Sequence, residues 1–168
     1  VLYYVAKEIG IIEKVKQYFK QFNIESKIKE FDVSSATVEL AAKALNCEPC
    51  RIAKSLSFKI CDNKVVIVVA AGDVRVDNKK FKIFFQKKLK MLSCDEVKKF
   101  VGHEIGGVCP FAVNDGVDVY LDISLKRFDT IFPACGSSNS AIEFNMEELE
   151  KYSSNFKQWV DVCTQPQK

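Results

Sequence analysis

Nothing in the 168-residue sequence approaches the run of about 20 apolar residues that a bilayer-spanning helix requires. The opening stretch VLYYVAKEIG has neither a cationic segment nor a small-residue cleavage site, so no secretory signal is read there. Histidine and tryptophan occur once each, and proline four times. There is no G-x-S-x-G nucleophile elbow and no H-x-x-x-H pair, which removes the common hydrolase and zincin signatures. Charge of one sign is also scarce: the formal net charge is +3, so no global basic character demands a polyanion. With 48% hydrophobic and 28% charged residues the chain is ordinary for a globular protein, and wholesale disorder is excluded.

Cysteine, by contrast, is plentiful. The seven lie at 47, 50, 61, 94, 109, 135 and 163, an odd and scattered set. Without a secretory signal this favours reduced thiols in a cytoplasmic protein. Cys47 and Cys50 form a C-x-x-C pair. A structural zinc site needs four ligands, usually as two close pairs, and no second C-x-x-C is present. A thioredoxin-type site needs its cysteines after a strand and at a helix N-terminus, where the dipole lowers the thiol pKa. Here they follow a helix and precede a strand. The pair reads as a connector, with no metal and no cofactor implied. Cys109 beside Pro110 has no neighbouring base to activate it. His103 reads as a loop histidine that contacts a substrate or packs. Asp118 and Asp122 share one strand face.

The length suits one domain, taken as residues 1–168. Apolar residues at helical spacing predict a first helix over Ile9–Phe22, and a short strand is expected over Ile24–Phe31. Ser34 or Ser35 caps a second helix whose buried face carries Val38, Ala41, Ala42 and Leu45, ending at Asn46. An alternating run, Ser55–Ile60, and an almost wholly apolar one from Lys64 form a hairpin over Asp62-Asn63. A helix begins at Asp77 with Phe81, Phe84 and Phe85 turned inward. Ser93 and Glu96 make a capping box for another that Gly102 ends. The segment 102–116, with four of the seven glycines, is a loop holding an unusual path. Strands at Val117–Asp122, Thr130–Cys135 and Ser140–Phe144, a helix over Met146–Tyr152 and a strand at Trp159–Cys163 complete an α+β chain.

Two features carry chemistry. Lys54, at the head of the alternating strand, is a fixed cation for a phosphate or a developing oxyanion. The lysines at 79, 80, 82, 87, 88 and 90 form either a solvated helix face or a surface that tracks phosphates.

Several segments in order, CRIAKSLSF (50–58), VVIVVAAGDVRVD (65–77), VGHEIGGVCPFAV (101–113), VDVYLDISLKRFDTIF (117–132), ACGSSNSAIEFNMEEL (134–149) and WVDVC (159–163), resemble the YbaK/EbsC/ProX family of aminoacyl-tRNA deacylases. The likeness covers about residues 35–163. It implies a curled, barrel-like mixed β-sheet flanked by helices, and hydrolysis of the ester of mischarged tRNA, with alanyl- or cysteinyl-tRNA(Pro) as leading substrates and seryl and threonyl esters open. It also implies prolyl-tRNA synthetase as a partner in cis or in trans; the absence of an initiator methionine fits a domain taken from a longer protein. The family's K-[ST]-L lysine matches Lys54 and its G-x-x-x-P loop matches Gly106–Pro110. Gly106 and Gly107 thereby become the expected oxyanion donors, with Lys54 as the third catalytic group. Val108, Pro110, Asp122, Gly136, Ser137 and, in support, His103 become substrate-binding residues, and Lys79, Lys80, Lys87 and Lys88 contacts to the tRNA backbone. The family is taken to use the neighbouring ribose hydroxyl in place of a protein base. The other reading is a non-catalytic tRNA-binding or synthetase-interaction module of the same fold. The sequence departs from the family around Asn46-Cys47, where many relatives carry glycine, and matches it weakly over the first 30 residues.

Overall fold

The computed structural model describes residues 10–166. Its element order is α1 (Ile11–Lys20), β1 (Lys29–Glu30), α2 (Val38–Leu45), β2 (Ile52–Cys61), β3 (Lys64–Ala71), α3 (Asn78–Phe85), α4 (Cys94–Glu96), β4 (Asp118–Asp122), β5 (Thr130–Pro133), β6 (Ser140–Ala141), β7 (Phe144–Asn145), α5 (Met146–Tyr152) and β8 (Phe156–Val160). Six strands make one strongly curled half-barrel sheet in the order β7-β5-β2-β3-β4-β8. It is mixed: β2 with β3 and β5 with β7 are antiparallel, whereas β2 with β5, β3 with β4 and β4 with β8 are parallel. β1 and β6 form a separate two-stranded ribbon.

The sheet is organised around β3, which is buried from Val65 to Ala71. A strand so continuously apolar must be covered on both faces. On one side Phe81 of α3 meets Phe58 of β2 with ring centroids 4.9 Å apart. Elsewhere in the core Phe19 of α1 packs on Phe111 at 4.8 Å, and Phe111 lies edge-on to Phe144 at 5.6 Å. Local signals hold the ends. Asn46 closes α2 in the left-handed conformation, the Asp77 side chain accepts from the N–H of Lys80, and Ser93 and Glu96 form the expected reciprocal box. Beyond α4 the chain widens over residues 97–101, and Gly102 donates back to the Val97 carbonyl.

Five expectations are corrected. Ile24–Phe31 is mostly a tight turn over Glu25–Lys27, and only Lys29 and Glu30 pair, against Ala141 and Ser140. The cap of α2 is Thr37, whose hydroxyl accepts from Leu40 N–H, while the Ser34 hydroxyl is taken by Ala36 N–H one turn earlier. Phe84 is 38% exposed, because α3 is covered on one side only and Phe81 occupies that side. Ser140–Phe144 divides into two short strands, since Glu143 turns outward to meet Arg51 and Thr130. The last strand spans Phe156–Val160 rather than 159–163, starting ahead of the apolar residues that mark it in the sequence. The predicted helix start at Ile9 lies outside the described residues. Among those residues no helix is long and apolar enough to cross a membrane.

Candidate functional site

The outer edge of β2 has a gap. β5 pairs with it only at Ile52 and Ala53, and the segment around Met91 meets it only from Ser57 to Lys59. Between these contacts Lys54–Leu56 have β3 on one side and no strand on the other. Ser57 C=O and Lys59 N–H point outward to Leu92 and Lys90, so the two-residue period turns the peptide groups of Ser55 toward the same edge. A cavity of about 260 Å³ occupies the gap. Its walls come from Lys54–Ser57, from Ser35–Val38 ahead of and into α2, from Met91 and Leu92, from Ile105, Gly106 and Val108, and from β5 and β6.

Lys54 is half-buried, and its ammonium donates to two carbonyls of the turn after β3, Gly72 O at 3.4 Å and Val74 O. Burial holds its pKa below the ordinary lysine value. The residue between those carbonyls, Asp73, receives both arms of the Arg127 guanidinium at 2.6 and 3.0 Å. That pair pulls the Asp73 carboxyl below its usual pKa, and Arg127 thereby fixes the turn that holds Lys54. Gly72 has a steric reason to be glycine: a Cβ there would lie 2.1 Å from Pro49 O. The C-x-x-C connector packs on this turn, with Cys47 and Cys50 partly buried.

The glycine loop closes the cavity from the other side. Gly106 takes φ +94°, and a Cβ on it would meet Ala36 Cβ at 3.2 Å. Gly107 donates its N–H to Glu104 O at 3.1 Å, and a Cβ on it would approach Ser137 N to 2.7 Å. The loop therefore wedges against the 136–137 turn, and Gly136 itself, at φ +90°, abuts Ile11 and Val15 of α1.

Of the residues singled out in the sequence, Lys54, Gly106 and Val108 line the cavity. Gly107, Pro110, Gly136 and Ser137 are not on its wall. Ser137 donates to Ser140, which is on it. Asp122 is buried away from the cavity, one carboxylate oxygen accepting from Ser124 N–H at 2.9 Å and the other from Val162 N–H at 3.0 Å. Two backbone donors give it a structural function, tying β4 to the segment after β8. His103 is fully buried, its Nδ1 accepting the Cys109 N–H at 3.3 Å, and burial lowers its pKa to about 4. It is a neutral core imidazole at pH 7. Cys109, in contact with it, is pushed up to about 12, so neither is poised as base or nucleophile. Lys79, Lys87 and Lys88 are exposed, whereas Lys80 is pinned to Asp161 and Cys163 O, each at 2.9 Å.

Sequence reasoning missed Ser35, Ser55, Met91 and Ser140 on the wall, and Gly72 and Arg127 behind Lys54. Only Gly72, a glycine directly after a buried strand, carries a readable signal.

The family model of the aminoacyl-tRNA editing domain matches residues 32–152, a span that contains every residue of the cavity wall. Protein YwhH of Bacillus subtilis (strain 168) is 52% identical over 152 residues, covering 90% of this chain and 96% of that one. The proline–tRNA ligase of Bacillus cereus (strain AH820) is 26% identical over 136 residues, 80% of this chain but only 23% of the ligase. The chain thus spans about a quarter of that enzyme. Among solved structures, one described as a candidate trans-editing enzyme for prolyl tRNA synthetase superposes with a TM-score of 0.82 at 24% identity, covering 94% of this chain and 99% of that one. Hypothetical protein APE2540 superposes with a TM-score of 0.75 at 23% identity, covering 88% and 99%. These two likenesses establish the curled-sheet fold.

Proposed function

The chain belongs to the aminoacyl-tRNA editing domain family, and from that premise we propose that it hydrolyses the ester of mischarged aminoacyl-tRNA, acting on small amino acids attached to tRNA(Pro). The observation that carries this reading is the cavity at the open edge of β2, with Lys54 on one wall and Gly106 on the other. At about 260 Å³ it falls just below the range of drug-sized ligand pockets, which suits a small aminoacyl group.

An aminoacyl ester is already activated, so the protein has to position it and stabilise the charge that develops. Water adds to the acyl carbon, the bond to the ribose oxygen breaks, and that oxygen leaves protonated as the tRNA hydroxyl beside the free amino acid. The neighbouring ribose hydroxyl assists the attack, which accounts for the use of no protein base. Lys54 supplies a fixed positive charge to the terminal nucleotide or to the oxyanion. The backbone at Gly106 comes close because no side chain intervenes. Gly107, its N–H spent on Glu104, and Pro110 shape the loop, and Ser137 with Gly136 supports it. Exposed Lys79, Lys87 and Lys88 contact tRNA phosphates, on the segment that runs directly into the cavity-lining Met91 and Leu92. The protein works in the cytoplasm beside prolyl-tRNA synthetase, in trans or as a joined domain.

The test is a deacylation panel of alanyl-, cysteinyl-, seryl- and prolyl-tRNA(Pro) with purified protein. Hydrolysis of a small ester with sparing of the prolyl ester supports the proposal. Binding of tRNA with hydrolysis of none of the four replaces it with a tRNA-binding module.

A further inference from the structure

The edge of β2 that borders the cavity leaves one residue with both of its peptide groups free. Ser57 C=O accepts from Leu92 N–H at 3.2 Å and Lys59 N–H donates to Lys90 O at 2.9 Å. By the two-residue period, Ala53, Ser55, Ser57 and Lys59 therefore turn their peptide groups outward, away from β3. Ala53 pairs there with Pro133 of β5, and the 90–92 segment engages Ser57 and Lys59. Ser55 lies between these contacts, and among the described residues its N–H and C=O have no hydrogen-bond partner. Its hydroxyl oxygen is closed off, yet the residue is partly exposed and lines the cavity, so it presents its main chain and Cβ there. An unpaired strand edge is a template for another strand, and here the free stretch is one residue long.

We propose that the aminoacyl group fills this gap as a one-residue antiparallel strand, its α-amino N–H donating to Ser55 C=O and its ester carbonyl oxygen accepting from Ser55 N–H. The proposal rests on the editing reading and names the groups that orient its substrate. Two residues directly opposite in an antiparallel pair exchange both bonds in this way. An aminoacyl ester carries the same N–Cα–C=O unit as a strand residue, so the pairing holds it by its main chain and leaves the choice among side chains to the size of the cavity. Gly107 does not serve as the donor, because its N–H is spent on Glu104 O at 3.1 Å. Ser55 is fixed by its pairing with Val69 of β3, which makes its N–H a preorganised oxyanion donor. As water adds to the acyl carbon, the negative charge collects on the oxygen that this N–H holds. Collapse then breaks the bond to the ribose oxygen, which takes up the proton that the water has lost.

Proline at position 55 removes the N–H without loss to the ladder, because that N–H faces the gap and not β3. The experiment measures single-turnover hydrolysis of the fastest-cleaved small tRNA(Pro) ester by Ser55→Pro against Ser55→Ala, so that the lost hydroxyl is common to both, and records the melting temperature of each. Alongside, the wild-type protein is given the deamino analogue of that ester, propionyl for alanyl, which keeps the carbonyl and lacks the α-amino group. Each rate is divided by the spontaneous rate of the same ester, which removes the amino group's own activation. Ser55→Pro should be slower than Ser55→Ala by about 100-fold. The acceleration of the deamino ester should be at least about tenfold below that of the aminoacyl ester. A folded Ser55→Pro protein as fast as Ser55→Ala overturns the proposal, and so does a deamino ester accelerated as much as its parent. Where proline prevents folding, the deamino comparison alone decides. Either result leaves ester hydrolysis standing, whereas a wild-type protein that hydrolyses no aminoacyl ester overturns the editing reading and this proposal together.

Discussion

The ammonium of Lys54 reaches the carbonyl of Gly72 at 3.4 Å, and Gly72 in turn lies so close to Pro49 that no side chain fits between them. The lysine of β2, the turn after β3 and the C-x-x-C connector are thus one packed unit. Pro49, between the two cysteines that stand out in the sequence, is the residue that meets the turn that positions the lysine.

Gly107→Ala should destabilise the protein and lower activity together. Its Cβ would come within 2.7 Å of Ser137 N and 2.8 Å of Gly136 C, which are backbone atoms that move only if the turn moves. Overpacking of this kind costs about 1–3 kcal/mol. Thermal unfolding and deacylation rate of the variant check it. Gly116→Ala, which meets nothing within 4 Å, is a control for Cβ contact, with only the strain of its positive φ remaining.

His103 should contribute to acid sensitivity but leave no mark on the rate profile near pH 6.5. Its folded pKa of about 4 lies below the ordinary 6.5, so the unfolded state binds the proton first as pH falls. Its contribution is therefore complete above pH 6.5 and is lost progressively down to about 4, roughly 3 kcal/mol in all. Denaturant unfolding of the wild type and His103→Gln across that window measures it: the wild type should lose stability faster than the variant on acidification.

The lysines should separate by their partners. Replacing Lys87 and Lys88, which are exposed, should weaken tRNA binding with kcat kept. The slope of log K against log salt should become shallower by about 0.7–0.9 for each phosphate that is no longer neutralised. Lys80→Ala, which breaks the bonds to Asp161 and Cys163 O, should change the slope less. Binding titrations at several salt concentrations decide between them.

Much of the fold was legible because its signals are local. The unbroken apolar run of β3, the Asp62-Asn63 turn, Asn46 and the Ser93–Glu96 box each act within a few residues. Lys54 and Gly106 were visible through a family pattern, and both line the cavity. What was hidden depends on the third dimension. The gap at the edge of β2 arises because β5 and the 90–92 segment diverge, a matter of sheet curl that alternation in β2 does not encode. Ser35 read as a helix cap, and Ser55 as the polar side of a strand. Asp122 sits in a strand motif, yet it spends both oxygens on backbone N–H groups away from the cavity.

The central claim is that Lys54 supplies the fixed charge for ester hydrolysis, and single-turnover deacylation by Lys54→Ala and Lys54→Arg tests it most directly. The account predicts a loss in rate of about 100-fold or more for Lys54→Ala with the fold intact. Lys54→Arg should recover little of it, because a planar guanidinium cannot take the place of a compact ammonium held between two carbonyls. A folded Lys54→Ala protein that cleaves the ester at the wild-type rate would contradict it.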